Sequence, residues 1–255
     1  MAIEHITSRK NPLILRLRAL ASDAAFRRAE GEYLCDGYKL LDEALDKGAQ
    51  IRCVLWKEKR GNTFFPAAVR ECSAPAELFD YASPMKNSPG PLFTVAIPPE
   101  PETVFSRAIL LENVQDPGNV GTVIRTAAAM GVDTVLLAGA CADVYSPKTA
   151  RAAMGAVFRE KIIRCTAAEA RKLAERNGLK LYSAALSDRA ADIRTLNLAK
   201  AVVAVGSEGQ GLSRELLALC DGELIIPMSP GSESLNAAVA AAVILWEMVR
   251  DRTGS

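Results

Sequence analysis

A series of short apolar runs in the second half of the chain constrains the fold more than any other feature. Segments with the periodicity of helices separate most of these runs. Strands that alternate with helices are typical of a parallel sheet covered on both faces, so we predict an α/β fold. The predicted strands are 108–111, 134–138, 158–163, 180–184, 201–205 and 224–226.

The first half of the chain shows a second, smaller α/β pattern. The predicted strands there are 32–35, 51–56 and 92–97, and the predicted helices are 12–28, 38–46 and most of 64–82. The proline-rich segment 98–102 then marks a stiff linker. We therefore predict an N-terminal domain over 1–97, a linker over 98–106 and a C-terminal domain over 107–255.

Composition argues against several classes of protein. The 255 residues carry a formal net charge of +1, and no apolar run is long enough to cross a bilayer. The six cysteines are widely spaced without a Cys-x-x-Cys pair, and His5 is the only histidine. A metal site and a histidine-based catalytic triad are therefore disfavoured. We expect no bound metal, and reduced thiols in a cytoplasmic protein.

Positive charge is concentrated in two stretches, although the whole chain is nearly neutral. Residues 9–28 hold six basic side chains against Asp23, and residues 148–164 hold five against Glu160. Clusters of this kind bind the phosphates of a polyanion or form the solvated face of a helix, and both interpretations remain open.

Three loops, 116–125, 206–211 and 226–236, follow predicted strands and lead into helical patterns. Because the carboxyl ends of parallel strands meet at one edge of a sheet, we expect these loops to line one ligand crevice. The second loop encloses Glu208, and a carboxylate there would repel the pyrophosphate of a dinucleotide. This favours a ligand with cationic and hydroxyl groups. The alternative is an acidic residue that stabilises a helix N-terminus.

Arg125 is the most unusual residue of the first loop and the helix that follows it. Apolar residues such as Val123, Ile124 and Ala127 surround it in the sequence, and an arginine in that setting usually has an anionic partner. Asn119 lies six positions earlier, so the two side chains need not share a helix face. Asn119 is either functional or a simple helix cap.

The ordered set of three loops resembles the signature motifs of the SpoU/TrmH family of RNA ribose 2′-O-methyltransferases, within the SPOUT superfamily. This resemblance covers residues 108–250. Residues 6–97 resemble the substrate-binding domain that precedes many SpoU-type catalytic domains, through 8–12 and 32–41. The resemblance implies a C-terminal SPOUT domain with a trefoil knot, a smaller N-terminal RNA-binding domain and a homodimer formed through the C-terminal domain.

The resemblance also implies roles for individual residues. It implies catalytic roles for Arg125, Asn119, Glu208, Ser234 and Asn236. It implies that S-adenosylmethionine is held by Gly206, Ile226, Met228 and Leu235, with the apolar members flanking the adenine. The candidate RNA-binding residues are Arg9, Lys10, Arg16, Arg18 and Arg151.

Structural alternatives exist for several of these residues. Ser234 is equally suited to cap the last helix. Ile226 and Leu235 are also ordinary core residues, and Arg151 is also a candidate for a surface ion pair. For Arg125 we favour phosphate binding and stabilisation of the developing alkoxide, because arginine hardly loses its proton in proteins.

The function that the resemblance implies is methyl transfer from S-adenosylmethionine to a ribose 2′-hydroxyl of structured RNA. We favour ribosomal RNA as the substrate, with transfer RNA as the alternative. An RNA-binding protein without catalytic activity is a further alternative, although the set Asn119, Arg125, Glu208 and Asn236 is present. A nucleotide-dependent oxidoreductase lacks the expected Gly-x-Gly-x-x-Gly fingerprint after the first strand.

Overall fold

The computed structural model describes residues 3–185, 187, 189–229 and 234–250. Its chain divides into two units. The first contains the residues up to Pro99 together with Asp143–Phe158, and the second contains Glu100–Ala142 and the residues from Arg159 onward. The division of the chain into domains at a 98–106 linker stays a prediction.

The first unit is built on a mixed sheet. Its strands are β1 (Glu4–His5), β2 (Glu32–Asp36), β3 (Ile51–Lys57), β4 (Arg70–Ala74) and β5 (Leu92–Ala96). Among the described residues their order is β1-β4-β3-β5-β2, and β5 runs antiparallel to both of its neighbours. The helices before residue 100 are α1 (Pro12–Ser22), α2 (Ala24–Glu30), α3 (Tyr38–Asp46) and α4 (Ala76–Ala82).

Two predictions for the first unit need correction. The predicted helix 12–28 is two helices, because Asp23 adopts an extended backbone that ends α1, and its carboxylate accepts hydrogen bonds from the first turn of α2. The predicted helical structure over 64–82 is wrong before Pro75. Residues Arg70–Ala74 form β4, where Cys72, Ser73 and Ala74 are all buried, so pairing with β3 overrides the local pattern.

The second unit contains a parallel sheet, which confirms the predicted fold class. Its strands are β6 (Ala108–Glu112), β7 (Thr134–Ala138), β8 (Lys161–Cys165), β9 (Lys180–Ala184), β10 (Ala191–Asp192), β11 (Ala201–Val205) and β12 (Gly222–Ile225). Over the described ranges the order is β10-β12-β9-β11-β6-β7-β8, and every neighbouring pair is parallel.

The central strands of this sheet are buried on both faces. All residues of β6, β7 and β11 are buried, including Val202, Val203 and Val205. Each fully buried valine contributes about 1.5–3 kcal/mol relative to an exposed one. The predicted strand 158–163 lies later, at β8, because Ala156–Phe158 forms a short 3-10 helix. The short strand β10 has no counterpart in the sequence prediction.

The remaining helices are α5 (Pro117–Met130), α6 (Pro147–Ala153), α7 (Ala167–Arg176), α8 (Arg214–Leu219) and α9 (Ala237–Val249), of which α6 belongs to the first unit. Local signals set the ends of α5. Asp116 caps its first turn, Pro117 opens it, and Gly131 ends it in the left-handed conformation with φ of 66°. Of the helices within the described ranges, none has the length and apolarity needed to cross a lipid bilayer.

Candidate active site

A cavity of about 460 Å³ lies at the carboxyl ends of β9, β11 and β12. Parallel α/β sheets place their ligands at this edge. The cavity is lined by Gly206, Ile226, Met228 and Leu235, the residues expected to hold a cofactor. Glu208 and Ser234 line it as well. Of the third loop, residues 230–233 lie outside the described residues, and these include Gly231, Ser232 and Glu233 of the motif.

The wall formed by residues 206–211 is a tight turn that requires glycine. A Cβ atom on Gly206 would lie 2.2 Å from the carbonyl carbon of Gly211, which leaves no room for any side chain. Gly211 itself has φ of +64°, and its amide donates a 2.9 Å hydrogen bond to the Ser207 carbonyl oxygen. The backbone of this turn therefore reaches the cavity without an intervening side chain.

The carboxylate of Glu208 joins the three predicted loops. Its Oε1 accepts hydrogen bonds from the side-chain amides of Asn119, at 2.9 Å, and of Asn236. The backbone amide of Ala237 also donates to it, at 3.3 Å. These partners lie 89, 28 and 29 residues away along the chain. One member of each loop thus meets at a single oxygen atom.

Asn236 connects this cluster to the start of α9. Its Oδ1 accepts from the amides of Ala238 and Val239, so Asn236 is the N-cap of the helix. Its Nδ2 donates to Glu208 and, at 3.2 Å, to Asn119 Oδ1. Both ends of the Asn236 amide are therefore engaged, which fixes the orientation of the side chain.

The structure corrects the capping interpretations of two residues. Asn119 does not cap α5, because Asp116 holds that position and its Oδ1 accepts from the Asn119 amide at 2.8 Å. Ser234 does not cap α9, because Asn236 does. The side chains of Asn119 and Ser234 are consequently available at the site, one within the Glu208 cluster and the other at the cavity wall.

Arg125 lies in a setting different from the expected one. It is exposed on α5, while its sequence neighbours Val123 and Ile124 are buried. Within the described part of the chain, the expected anionic partner is not found among its hydrogen bonds or ion pairs. It also does not line the cavity. Its guanidinium is thus left open to a ligand or a second protein chain.

Glu112 is a residue of the site that the sequence analysis missed. This carboxylate is 5% exposed at the end of β6, where it accepts from the Ser213 amide and from Ser213 Oγ, both at 2.7 Å. Ser213 in turn caps α8. The contact anchors the end of the segment 206–212, which lines the cavity. An acidic residue at the end of an otherwise apolar strand was the available signal.

The candidate RNA-binding residues belong to the first unit and have different surroundings. Arg9, Lys10, Arg18 and Arg151 are exposed. Arg16 is ion-paired with Glu30 and Glu32, so its charge is already compensated, and its role in RNA binding stays a prediction.

Across the described residues, no group of three or more His, Cys, Asp or Glu side chains is arranged to hold a metal ion.

The fold and the cavity define an α/β enzyme with a small-molecule site at the carboxyl edge of a parallel sheet. The model of the SpoU rRNA Methylase family matches residues 106–246. The 23S rRNA (guanosine(2553)-2′-O)-methyltransferase RlmP of Bacillus subtilis is 31% identical over 96% of this chain and 99% of its own length. The 23S rRNA (uridine(2479)-2′-O)-methyltransferase of Streptomyces viridochromogenes is 28% identical, with 98% and 93% covered.

The comparison of structures agrees with the comparison of sequences. The crystal structure of the AdoMet-bound rRNA methyltransferase from Sinorhizobium meliloti superposes with a TM-score of 0.87 and 26% identity, covering 99% of both chains. This chain belongs to the SpoU rRNA methylase family, which confirms the resemblance of its three motifs. The trefoil knot implied by that resemblance stays a prediction.

Proposed function

We propose that this protein transfers a methyl group from S-adenosylmethionine to a ribose 2′-hydroxyl of ribosomal RNA. The observation that carries the proposal is the Asn119–Glu208–Asn236 cluster at the cavity, in a chain of the SpoU family. Ribosomal RNA is favoured over transfer RNA because the relatives in Bacillus and Streptomyces, matched along nearly their whole length, are named for 23S rRNA. We also propose a cytoplasmic location, since the relatives named for 23S rRNA are bacterial proteins.

The cavity fits the cofactor in size and in the character of its lining. Small-molecule sites commonly have volumes of about 300–1,000 Å³, and this cavity has about 460 Å³. Ile226 and Leu235 supply apolar surface for an adenine ring, while the backbone at Gly206 is accessible for hydrogen bonds. When bound, S-adenosylmethionine supplies a methyl group activated by its sulfonium.

Glu208 provides the negative charge of the site. Its carboxylate lies at the N-terminus of α9 and is bonded to Asn119 in the first turn of α5, where the partial positive charges of helix ends stabilise an anion. We assign to it the task of holding a cationic or hydroxyl-bearing group at the cavity mouth. The amides of Asn119 and Asn236 keep its oxygen in place for that contact.

We assign to Arg125 a contact with the RNA substrate rather than with the cofactor. An arginine keeps its proton, so it acts through charge and not as a free base. Its exposed guanidinium is suited to bind the phosphate next to the target ribose and to stabilise the alkoxide that develops on the 2′-oxygen. Holding that oxygen in line with the methyl group then supplies much of the rate enhancement.

We further propose that the protein is a homodimer that associates through α9. Val239 and Trp246 of this helix are 50% and 59% exposed, seven positions apart and therefore on the same face. An exposed apolar stripe of this kind marks an interaction site. α5, the helix that carries Arg125, packs beside α9.

Two measurements test the proposed activity. Titration calorimetry should show binding of S-adenosylmethionine or its demethylated product without added metal. Mapping of 2′-O-methyl groups in ribosomal RNA from cells with and without the gene should show one site that disappears. Binding of a nicotinamide dinucleotide in place of the methyl donor would reject the proposal. A site that disappears from transfer RNA alone would reject the assignment to ribosomal RNA.

A further inference from the structure

The ring of Tyr81, in the last turn of α4, contacts two arginine side chains from the N-terminal part of the first unit. The guanidinium carbon of Arg9 lies 4.7 Å from the ring centre, and that of Arg18, on α1, lies 4.1 Å from it. Arg18 also donates a 2.6 Å hydrogen bond to the Tyr81 carbonyl oxygen. The ring and the end of α4 thus hold two cationic groups.

These two arginines differ from the other arginines around them. Arg16, two positions before Arg18, is paired with glutamates, and Arg27 is buried against Asp143. Over the described residues, neither Arg9 nor Arg18 forms an ion pair with a carboxylate. Their positive charges are therefore held in position without being compensated.

The acidic neighbour of Tyr81 does not cancel these charges. Asp80 forms a 2.7 Å ion pair with Lys57, at the end of β3. Its charge is therefore balanced by a different cation. Asp36 also lies near this surface, where its carboxylate accepts hydrogen bonds from Ser83 and Ser88. Among the described residues, neither carboxylate forms an ion pair with Arg9 or Arg18.

A third arginine contacts the same stretch of chain. Arg151, in α6, donates to the sulfur of Met85 at 2.8 Å. Met85 follows Tyr81 by four residues, so residues 81–85, here named the 81–85 segment, contact Arg9 and Arg18 at one end and Arg151 at the other. Arg151 thereby contacts the same segment as Arg9 and Arg18, although it is more than 130 positions away from them in sequence.

We propose that the 81–85 segment with Arg9, Arg18 and Arg151 is a binding site for the phosphate backbone of the RNA substrate, and that Tyr81 is its positioning residue. The site deepens the proposed function and rests on it. A guanidinium stacked on an aromatic ring keeps its outward N–H groups available for bidentate contacts with phosphate. The ring also limits the side-chain entropy that each arginine would lose on binding.

The test uses the full-length protein, large-subunit ribosomal RNA transcribed in vitro and a series of salt concentrations. Tyr81→Leu should raise the Kd for RNA by about fivefold or more, because two cation–π contacts are lost. Tyr81→Phe keeps the ring and should remain within about twofold of the wild type, since the cation–π contacts need only the ring. Arg9→Gln and Arg18→Gln should each reduce the slope of log Kd against log salt by about 0.7–0.9.

The matched control is Arg52→Gln. Arg52 is an exposed arginine of the same unit and lies on β3. It precedes Lys57, the ion-pair partner of Asp80, by five positions, which corresponds to about 16 Å along the strand. The Arg52→Gln substitution should leave both the Kd for RNA and the slope of log Kd against log salt unchanged. In methyl transfer assays, Tyr81→Leu should raise the KM for RNA and leave kcat and the affinity for S-adenosylmethionine as in the wild type.

The outcomes separate this site from the proposed function. If the wild type neither binds nor methylates ribosomal RNA, the proposed function fails and the site fails with it. If the wild type methylates the RNA but Tyr81→Leu binds it as tightly, with unchanged thermal unfolding, only the site is rejected. Equal effects of Tyr81→Leu and Tyr81→Phe would also reject the role assigned to the ring.

Discussion

Glu208 and Arg125 show how differently two charged residues of one site are held. Glu208 receives hydrogen bonds from two asparagine side chains and one backbone amide, which orient its carboxylate. Arg125 has an exposed side chain with no such restraint among the described residues. Glu208 is thus held by hydrogen bonds within the protein, whereas the Arg125 guanidinium is exposed.

At the residue scale, we expect Arg125→Ala to abolish most methyl transfer without affecting the fold. The kcat should fall about a hundredfold or more if the guanidinium stabilises charge mainly in the transition state. Arg125→Lys should also be poor, because an ammonium group lacks the bidentate fork. Single-turnover kinetics on RNA measures both effects.

Three controls accompany that experiment. Thermal unfolding and the affinity for S-adenosylmethionine should be unchanged, since Arg125 is exposed and does not line the cavity. Lys172→Ala, an exposed cation on α7 of the same unit, should retain full activity. Near-normal single-turnover rates in Arg125→Ala would show that the assigned role is wrong.

At the scale of elements, the contact between β6 and the start of α8 supports the cofactor cavity. Glu112 at the end of the strand receives two hydrogen bonds from Ser213, which caps the helix. The segment 206–212 lies between β11 and this anchor, so its conformation depends on both ends. The same segment provides Gly206 and Glu208 to the site.

We expect Glu112→Ala to destabilise the protein and to weaken cofactor binding together. Loss of hydrogen bonds to a buried carboxylate should lower the free energy of unfolding by about 2–3 kcal/mol. A less ordered 206–212 segment should raise the Kd for S-adenosylmethionine about tenfold, equivalent to about 1.4 kcal/mol. Chemical denaturation and calorimetry measure the two quantities.

Glu112→Gln is the conservative comparison, because its amide oxygen still accepts from the Ser213 backbone and its amino group can donate to Ser213 Oγ. Its effect should be clearly smaller than that of alanine. Ser213→Ala should cost about 1 kcal/mol of stability through loss of the helix cap. An alanine variant at Glu112 that binds the cofactor with wild-type affinity would disprove the anchoring role.

At the scale of the whole molecule, the exposed face of α9 is the proposed interface of the homodimer. Val239 and Trp246 present apolar surface on this face. Stable interfaces bury about 1,200–2,000 Å² in total and often centre on an aromatic residue. Trp246 is the best candidate for such a central contact in this helix.

We expect Trp246→Glu to convert the dimer to a monomer, because a buried carboxylate without a partner is strongly unfavourable at an interface. Light scattering on the purified protein at micromolar concentration measures the change in mass. Phe64→Glu is the matched control, since Phe64 is also highly exposed but belongs to the first unit. The Phe64→Glu substitution should leave the mass measured in solution unchanged. A wild-type protein that is monomeric under these conditions would contradict the proposal.

Periodicity was enough to predict most strands of the second unit. Buried strands such as β6, β7 and β11 appear in the sequence as mainly apolar runs, because burial on both faces selects apolar residues at nearly every position. The loops after such strands then fall at one edge of the sheet. Gly206, Ile226, Met228 and Leu235 were placed at the cavity by this reasoning together with the family resemblance.

Contacts between distant residues required the folded chain. The pattern at 70–74 did not predict β4, since pairing with β3 decided its conformation. The hydrogen bonds of Glu208, the Glu112–Ser213 anchor and the contacts of the Tyr81 ring with two arginines join residues 28 to 101 positions apart. A local pattern records whether a side chain is buried, but its partner depends on how separate elements pack in space. For that reason the three loops could be placed at one edge of the sheet from the sequence, whereas Glu112 and the hydrogen bonds of Glu208 required the folded chain.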